Sequence, residues 1–400
     1  MKFYKKIYYR IYQNIFKLAL PLLPYRNPIN LKDYDNIGNL LINKKLNNIL
    51  IITTQTFTKR NLLNDLFLSL NNNNIKYTIY DKTSPNPTSD NVELVRNIYL
   101  ENNCQGIIAI GGGSAMDLAK IVGARIVKPK KSVRKMKGLL KIRKKLPLLI
   151  AIPTTAGSGS EVTVSAVITD SKTHHKYPIN DFCLIPHYTL FDPKLLVNLP
   201  STLTAETGMD ALTHAVEAFI GNSTTKETRK MSLEAVKLIV NNLYNTYENN
   251  NDLDARYNML KASSYAGIAF RKSYVGYVHA IAHTLGGKYN ISHGQANAVI
   301  LPYVLKSFGS IIYKKLAILS KYSGISNDKD SIETSANKFI DWIININSKM
   351  NIPNSFEQIK EEDLDYMVNL CYKEAHPLYP VPVLLGHKEL KEIYKLIMKK

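Results

Sequence analysis

The sequence predicts two structural halves: an α/β half with a parallel sheet up to about residue 200, and an all-helical half after it. Before residue 200, short apolar runs alternate with amphipathic stretches, which is the rhythm of a parallel sheet covered by helices. After residue 200, the apolar spacing is helical almost throughout and strand candidates are rare. With 400 residues, 45% of them hydrophobic, the chain has enough apolar content to bury two cores.

The elements of the first half follow from these patterns. Four apolar runs predict buried strands: Asn48–Thr53, Lys76–Tyr80, Gly106–Ile110 and Leu148–Ile152. Helical spacing marks Leu62–Leu70 and Asp90–Glu101. The polar turn 170–175 separates Ser165–Thr169 from Lys176–Ile179, which predicts an added hairpin.

The N-terminus is a basic, aromatic extension that holds no acidic residue up to Tyr25. We place it at residues 1–27, before an α/β domain over 28–200 and a helical domain over 201–400. Its apolar stretch Leu18–Leu23 contains Pro21 and is too short to span a bilayer. Packing against the body is the favoured interpretation, and a signal peptide or an interfacial membrane helix is the alternative.

Charge and cysteine content exclude several classes of protein. Of the formal net charge of +20, eleven Lys or Arg residues and no acid lie between Arg125 and Lys145. We interpret this run as a solvated insertion, since it lacks the aromatic residues that stack on nucleic-acid bases. We therefore expect no specific nucleic-acid partner, and a membrane-surface partner is the disfavoured alternative. The three cysteines (Cys104, Cys183, Cys371) are widely spaced, which argues against a disulfide framework and fits a reducing cytoplasm.

A glycine-rich turn follows the third predicted strand. The run Gly106-Ile-Ile-Ala-Ile leads directly into Gly111, Gly112, Gly113 and Ser114, and a helical pattern begins there. A helix N-terminus offers free N–H donors and a partial positive charge to a pyrophosphate. The turn is neither a Walker loop nor the full dinucleotide fingerprint, because Met116 stands where the third glycine would be.

A second turn supports a nucleotide ligand. Pro153-Thr154-Thr155-Ala-Gly157-Ser158-Gly159-Ser160 follows another predicted strand and offers hydroxyls and flexible backbone. Two such turns in one α/β half predict a Rossmann-like, dinucleotide-binding domain.

Histidines cluster in the helical half. Thr204–Ile220 places Asp210 and His214 four residues apart on one helix face, and Ala269–Leu285 does the same for His279 and His283. His293 follows in a predicted loop, after an expected helix break at Gly286–Gly287. Further breaks are expected at Pro302, Pro353 and Pro377–Pro382. One carboxylate and three imidazoles suit Zn²⁺ or Fe²⁺, but spacing alone does not decide between His279 and His283 as ligand.

Four stretches in the same order and spacing, GGGSAMDLAK, PTTAGSGSEVT, ETGMDALTHAVEAF and YVHAIAHTLGGKYNISHG, resemble the iron-containing (group III) alcohol dehydrogenase family. The similarity extends over about residues 28–399. It implies a dehydroquinate synthase-like fold, with a dinucleotide domain, a helical domain and a metal ion in the cleft between them. It also implies an enzyme that forms a homodimer or a larger homo-oligomer.

The resemblance assigns the site residues. It implies metal ligation by Asp210, His214, His279 and His293, proton relay by His283, and a substrate pocket lined by Phe270. Residues matching the family's cofactor contacts, together with the glycine turn, are Asn86, Gly112, Gly113, Ser114, Asp117, Thr154, Thr155, Thr163 and Lys176. The implied reaction is hydride transfer between NAD(P) and a small primary alcohol or aldehyde, with Fe²⁺ favoured over Zn²⁺ as Lewis acid.

Two departures from the family pattern bear on specificity. Thr54 stands where NAD-preferring members have an aspartate that repels a 2′-phosphate, so we favour NADP, with NAD as the alternative. Arg271 and Lys272 follow Phe270, where relatives have small polar residues; we expect both to face solvent rather than an acidic substrate.

Two alternatives to a dehydrogenase of small alcohols are a polyol dehydrogenase of the same fold and a non-catalytic binding protein. Glycerol and other polyol dehydrogenases share the expected fold, the metal and the cofactor. A non-catalytic protein that binds polyanions or membrane surfaces through residues 1–26 and 125–145 is a different class, and the complete set of metal and cofactor motifs argues against it.

Overall fold

A computed structural model describes residues 1–399, which divide into two compact units. One unit is Pro24–Asn198, and the other joins Met1–Leu23 to the chain from Leu199 onward. The strands are β1 Ile29–Leu31, β2 Asn48–Ile52, β3 Lys76–Tyr80, β4 Gly106–Gly111, β5 Gly138–Leu139, β6 Leu148–Pro153, β7 Ser165–Thr169, β8 Lys176–Asn180 and β9 Tyr188–Leu190. The helices are α1 Phe3–Ala19, α2 Tyr34–Asn43, α3 Gln55–Lys59, α4 Asn64–Asn72, α5 Ser89–Glu101, α6 Gly113–Val127, α7 Ser201–Ile220, α8 Lys226–Glu248, α9 Leu253–Ser273, α10 Tyr277–Tyr289, α11 His293–Phe308, α12 Tyr313–Ser323, α13 Ile332–Lys349, α14 Leu364–Ala375 and α15 His387–Ile397.

A six-stranded sheet in the order β1-β9-β6-β4-β2-β3 forms the centre of the α/β unit, and every adjacent pair in it is parallel. The central strands β4 and β6 pair over their full length, so that Gly111 lies opposite Pro153. Because parallel strands end at the same sheet edge, the turns after β4 and β6 are neighbours. The four predicted sheet strands are confirmed. The short strands β1 and β9 were not predicted.

A smaller sheet, in the order β5-β8-β7, lies in the same unit. Its strands β7 and β8 pair antiparallel, with Thr169 opposite Lys176, which confirms the predicted hairpin. The start of the basic run is not solvated as expected. Arg125 is buried, forms an ion pair with Glu93, and donates to the carbonyl oxygens of Lys128 and Lys131 at 2.7 Å.

The helical unit packs around α7, in which every residue from Gly208 to Ile220 is buried. Helices α8, α9 and α11 pack against it. The stretch His293–Ser323 is long and apolar enough by composition to cross a membrane, but most of its apolar part is buried inside the protein, as in a core helix. The α/β and all-helical architecture predicted from the sequence is confirmed.

Two expectations about the histidine-bearing helices are wrong. A single helix over Ala269–Leu285 does not form, because the chain leaves α9 at Tyr274, whose φ of 59° is left-handed, and re-enters helix at Tyr277. Gly286–Gly287 does not break α10, which continues to Tyr289 and ends at the left-handed Asn290. Helix packing outweighs the low helix propensity of these two glycines.

Two further corrections concern α11. His293 is the first residue of this helix rather than a loop residue, and the Ser292 side chain caps it by accepting from Gln295 N. Pro302 lies inside α11 instead of ending it. A proline leaves the carbonyl four residues earlier without its helical donor. Here that carbonyl, on Ala298, accepts a hydrogen bond from Asn347 Nδ2 at 2.7 Å.

The N-terminal helix α1 belongs to the helical unit rather than forming a separate extension. Its Arg10 donates to the carbonyl oxygens of Val381 and Pro382, at 2.6 and 2.8 Å. Gln13, which is buried, donates to Tyr379 O at 2.7 Å. The buried ring of Tyr9 stacks on His376, with 4.8 Å between centroids, so both polar and aromatic contacts attach the helix to the body.

Candidate metal centre and cofactor cradle

Three predicted ligands converge in the helical unit. The ligand atoms of Asp210, His279 and His293 all lie within 4.8 Å of one another. Asp210 Oδ1 is 3.8 Å from His279 Nε2 and 3.5 Å from His293 Nε2. Helices α7, α10 and α11 each supply one of these residues. One oxygen and two nitrogen donors facing a common point suit Fe²⁺ or Zn²⁺.

An amide group lies at the point where these atoms converge. Asn297, one turn after His293 on α11, places its Nδ2 2.8 Å from Asp210 Oδ1. The same nitrogen is 3.3 Å from His279 Nε2 and 3.2 Å from His293 Nε2. Its Oδ1 is buried and has no hydrogen-bond partner among residues 1–399. An amide donor facing three acceptor atoms marks a position suited to a cation, and the unpartnered Oδ1 adds a potential oxygen donor beside it.

A buried carboxylate holds His279 in place. Glu217 Oε2 lies 2.6 Å from His279 Nδ1, and both side chains are 3% exposed. Glu217 also accepts from the backbone N–H groups of Gly276 and Val278 at 2.7 and 2.8 Å, which fixes the start of α10. With Nδ1 as the donor, the lone pair of Nε2 is available to a metal ion, the usual arrangement of a metal-binding histidine and its carboxylate partner.

The fourth predicted ligand, His214, lies beside this group but not in it. Its Nδ1 is 3.9 Å from Asp210 Oδ1. The His214 ring stacks between two others: on Phe270 with 4.1 Å between ring centroids, and on His279 with 4.5 Å. Phe270, predicted to line the substrate pocket, is thus in direct contact with a predicted metal ligand.

His283 lies on α10 next to the three converging ligands. Its ring stacks on that of His293, with centroids 5.3 Å apart and planes 14° from parallel. Its Nδ1 is 2.6 Å from Glu374 Oε1, and the Tyr379 hydroxyl donates to the same oxygen at 2.7 Å. The side chain of His283 is 47% exposed, as a residue that exchanges protons with solvent requires.

The electrostatics of the centre differ between its two buried imidazoles: carboxylates favour positive charge on His279, whereas burial and neighbouring imidazoles lower the pKa of His293 to about 3. Burial alone would raise the pKa of Asp210, but the imidazoles of His214 and His293 and the hydrogen bond to His279 lower it well below its usual value. Burial alone would lower the pKa of His279, but hydrogen bonds with Asp210 and Glu217 raise it to about 9. A divalent cation would compete with protons for this site, so its binding weakens in acid.

In the α/β unit, the two predicted glycine turns lie against each other. A Cβ atom on Gly112 would lie 3.3 Å from Thr155 Oγ1, and one on Gly113 would lie 3.3 Å from Ser158 Oγ. Gly112 is the N-cap of α6 and Gly113 its first residue. The absence of side chains there leaves the N–H groups at the start of α6 accessible beside the hydroxyls of the second turn. A hydrogen bond also joins the two turns, because the N–H of Thr154 donates to Gly111 O at 3.0 Å.

A buried lysine ties these turns together. Lys120 Nζ donates to Ser160 Oγ and Ser165 O at 2.9 and 2.8 Å, and to both oxygens of Thr163 at 3.2 Å. Asp117 accepts from Ser160 Oγ and Val167 N, both at 2.9 Å. Of the predicted cofactor contacts, Asp117 and Thr163 are therefore engaged within the protein. Burial raises the pKa of Asp117 and lowers that of Lys120 to about 8.

The other predicted cofactor residues differ in position. Asn86 has a left-handed φ of 55°, and its N–H donates to Ser114 Oγ at 3.4 Å. Thr54 follows β2 and forms an isolated backbone bridge with Lys82, whose side chain is exposed. Lys176 is exposed at the start of β8.

Both units match known families. Residues 30–193 match the description "Iron-containing alcohol dehydrogenase", and residues 204–398 match "Fe-containing alcohol dehydrogenase family, C-terminal". The chain belongs to the iron-containing alcohol dehydrogenases. It is 35% identical to a 1,3-propanediol dehydrogenase of Citrobacter freundii, over 80% of this chain and 83% of that protein. It is also 35% identical to alcohol dehydrogenase 4 of Schizosaccharomyces pombe, over 88% of this chain and 82% of the relative.

Solved structures of alcohol dehydrogenases have the same fold as this chain. A crystal structure of a 1,3-propanediol oxidoreductase has a TM-score of 0.87 and 31% identity, covering 93% of this dehydrogenase and 98% of that chain. An alcohol dehydrogenase from Oenococcus oeni has the same TM-score at 30% identity, covering 93% and 100%. The predicted family and fold are confirmed. The chain is a metal-dependent, nicotinamide-linked alcohol dehydrogenase of a family that uses Fe²⁺.

Sequence reasoning missed several residues of this dehydrogenase that support the site. Glu217 lies three residues after His214, on the helix stripe that already contained two predicted ligands, so the spacing signal was present. Lys120 similarly follows Asp117 by three residues within the motif GGGSAMDLAK. Glu374 and Tyr379 carry no local signal. The expectation that Arg271 faces solvent is wrong, since it is buried, and Lys272 donates to the carboxylate of Glu227.

Proposed function

We propose that Asp210, His214, His279 and His293 hold one Fe²⁺ ion, and that the enzyme uses it with a nicotinamide cofactor to interconvert small primary alcohols and aldehydes. The observation that carries this proposal is the convergence of one carboxylate oxygen and two imidazole nitrogens within 4.8 Å. Zn²⁺ is the alternative ion, because the same donor types suit it. His214, adjacent to Asp210, is the proposed fourth ligand.

The bound ion would act as a Lewis acid on the alcohol or carbonyl oxygen, and the nicotinamide would carry the hydride. The protein's own part is to orient the ligands and to move a proton. Glu217 keeps His279 in the tautomer that donates from Nδ1. We assign proton transfer to solvent to His283, whose Nδ1 is held by Glu374 and whose ring is partly exposed. Phe270 would form one wall of the substrate pocket.

For the cofactor, we propose that the start of α6 with Gly112, Gly113 and Ser114 binds the pyrophosphate. Direct contacts with the rest of the dinucleotide are assigned to Thr54, Asn86, Thr154, Thr155 and Lys176. Asp117 and Thr163 would act on the cofactor through Ser160 and Lys120, to which their side chains are hydrogen-bonded.

NADP is the proposed coenzyme. Thr54 carries no charge, and the exposed Lys82 beside it offers an ammonium group to a 2′-phosphate. The relevant comparison is kcat/KM for NADPH against NADH, and a clear preference for NADH would refute the assignment.

Diols are the second candidate substrates. Relatives at 35% and 36% identity are named 1,3-propanediol dehydrogenases, so 1,3-propanediol belongs in any substrate panel beside simple primary alcohols and glycerol.

We further propose a homodimer or larger homo-oligomer. A reducing compartment such as the cytoplasm is proposed because Cys104, Cys183 and Cys371 are all free thiols.

Metal analysis of ligand variants tests the central proposal. His279→Ala and His293→Ala are expected to lose both bound metal and turnover, whereas His283→Ala keeps the metal and turns over more slowly. His174→Ala, which removes an exposed histidine of the α/β unit, is the matched control. Chelation should abolish activity, and Fe²⁺ or Zn²⁺ should restore it. Normal metal content in both ligand variants would overturn the assignment.

A further inference from the structure

The N-terminal helix α1 exposes most of its large apolar side chains, unlike an ordinary helix that packs on a soluble core. Its inward side attaches through Arg10 and Gln13 to backbone carbonyls. Tyr9 is also buried there, and Phe16 contacts Tyr274. Most of the other large apolar side chains face outward: Phe3 is 78% exposed, Ile15 63% and Leu18 78%. In an ordinary surface helix the apolar stripe faces the core. The outward face of α1 therefore lacks a partner within the described chain.

The outward face is continuous. Ile7, Ile11, Ile15 and Leu18 are exposed at spacings of three and four, which places them on one side of the helix. Exposed tyrosines at positions 4, 8 and 12 flank this row, and Leu22, 85% exposed, extends it beyond the helix. Contiguous exposed apolar surface of this kind marks an interaction site rather than scattered surface residues.

The charge around this face indicates which partner fits. Lys2, Lys5, Lys6 and Lys17 are exposed on or beside α1, and the first acidic residue of the chain is Asp33. An apolar face bordered by lysines and interfacial aromatic rings is the pattern of helices that lie in the headgroup region of anionic bilayers. A second copy of the chain is a poor fit, because a two-fold contact through this face would bring like charges together.

A groove beside α1 likewise combines apolar side chains with a lysine. An open cavity of about 460 Å³ is lined by Lys6, Ile7 and Ile11 from the helix and by Ile311 from the body. Apolar walls next to an ammonium group suit the junction of a phospholipid headgroup and its acyl chains.

From these observations we propose that α1 docks this alcohol dehydrogenase on the surface of anionic phospholipid membranes, with the row Ile7, Ile11, Ile15 and Leu18 inserted among the acyl chains and the lysines at the headgroups. The proposal is independent of the catalytic assignment, because none of these residues belongs to the metal centre or the cofactor cradle.

Vesicle sedimentation of the full-length enzyme tests this proposal. We expect binding to vesicles of phosphatidylcholine mixed with phosphatidylglycerol and little binding to phosphatidylcholine alone. The double variant Ile11→Asn/Ile15→Asn should weaken binding to the anionic vesicles about tenfold or more, with activity and metal content unchanged. Ile318→Asn/Ile344→Asn removes two exposed isoleucines elsewhere in the helical unit and should bind like the parent.

A second pair of variants separates α1 from general basicity. Lys5→Ser/Lys6→Ser removes two charges from α1, and Lys141→Ser/Lys144→Ser removes two from the basic run of the α/β unit. Only the first pair should weaken vesicle binding, again about tenfold. Equal losses would assign binding to overall charge and overturn the proposal.

Fluorescence locates the inserted face. The chain has one tryptophan, Trp342, so Trp342→Phe/Ile15→Trp places the only indole on the outward face of α1. Its emission should shift to shorter wavelength on adding anionic vesicles, and an unchanged spectrum would overturn the proposal. Lipid-independent self-association that Ile11→Asn/Ile15→Asn abolishes would assign the face to a second copy, and so would also overturn it.

Discussion

The Nδ1 atom of His279 lies 2.6 Å from Oε2 of Glu217, and both side chains are almost fully buried. The same carboxylate accepts from the two N–H groups at the start of α10, Gly276 N and Val278 N. Glu217 therefore fixes the helix that carries His279 and the orientation of the imidazole on it. With Nδ1 held in this way, Nε2 of His279 faces Asp210 Oδ1 at 3.8 Å.

Glu217→Gln is expected to weaken metal binding about 10- to 100-fold, because an amide neither fixes the tautomer of His279 nor supports its basicity as a carboxylate does. The measurement is the dissociation constant for Fe²⁺ or Zn²⁺ under anaerobic competition with a chelator. Glu227→Gln, which alters a carboxylate paired with Lys272, should bind metal like the parent. Parent-like affinity in Glu217→Gln would show that the hydrogen bond to His279 does not tune the ligand.

Asn297→Ala should destabilise the metal-free protein by about 1–3 kcal/mol, because Asp210 and the two imidazoles lose a shared donor. The loss should be smaller with saturating Zn²⁺, since the ion then supplies the positive charge. Denaturant unfolding with and without Zn²⁺ measures both values. Asn347→Ala removes a buried amide that bonds Ala298 O and should lower stability equally in the two conditions. Equal losses for Asn297→Ala would contradict the proposed cation position.

Lys120→Met is expected to destabilise the protein by about 3 kcal/mol and to weaken NADPH binding. The ammonium group joins α6 to the second turn through Ser160, Thr163 and Ser165, and methionine leaves these oxygens without their donor. Lys176→Met changes an exposed lysine and should weaken NADPH binding without loss of stability. Denaturant unfolding and NADPH fluorescence titration distinguish the two. Unchanged stability of Lys120→Met would refute this role.

Thr54→Asp should lower kcat/KM for NADPH and leave that for NADH unchanged or higher, because a carboxylate there repels a 2′-phosphate. Lys82→Ser should have the same direction of effect if its ammonium group faces that phosphate. Asn72→Asp, at the exposed end of α4 in the same unit, controls for added charge. Steady-state kinetics with both coenzymes provides the measurement, and a rise in NADPH preference for Thr54→Asp would contradict the assignment.

Because His187 is half-buried in its neutral form, we expect the free energy of unfolding to fall in acid. Burial, reinforced by Arg26, Lys145 and Lys44, lowers the pKa of His187 to about 4, and its Nδ1 accepts from Leu149 N at 3.1 Å. The unfolded chain, in which histidine has a pKa of about 6.5, binds more protons between pH 4 and 6.5. This contribution to stability is therefore present above pH 6.5 and is lost as the pH falls toward 4. Unfolding of His187→Gln should depend less on pH in that window, and an unchanged slope would assign the acid sensitivity elsewhere.

The sequence by itself determined the parallel sheet, the helical second half, the two glycine turns and the cluster of Asp210 and histidines on the later helices, although spacing alone did not choose between His279 and His283 as a ligand. Local spacing in the sequence predicts these features: apolar runs of strand length, a turn at a strand end, and polar side chains four residues apart on a helix. Local spacing is enough because backbone geometry fixes which side chains within one element share a face.

Only the tertiary structure decided which atoms meet. Helix packing interrupts the predicted Ala269–Leu285 helix at Tyr274 and places His293 at a helix start, so that the ligand atoms of α7, α10 and α11 face one point. Glu374 reaches His283 from 91 residues away, and no short-range pattern encodes such a contact. The outward apolar face of α1 was also undecided, because a periodic stripe in the sequence does not state whether it faces the core or the solvent.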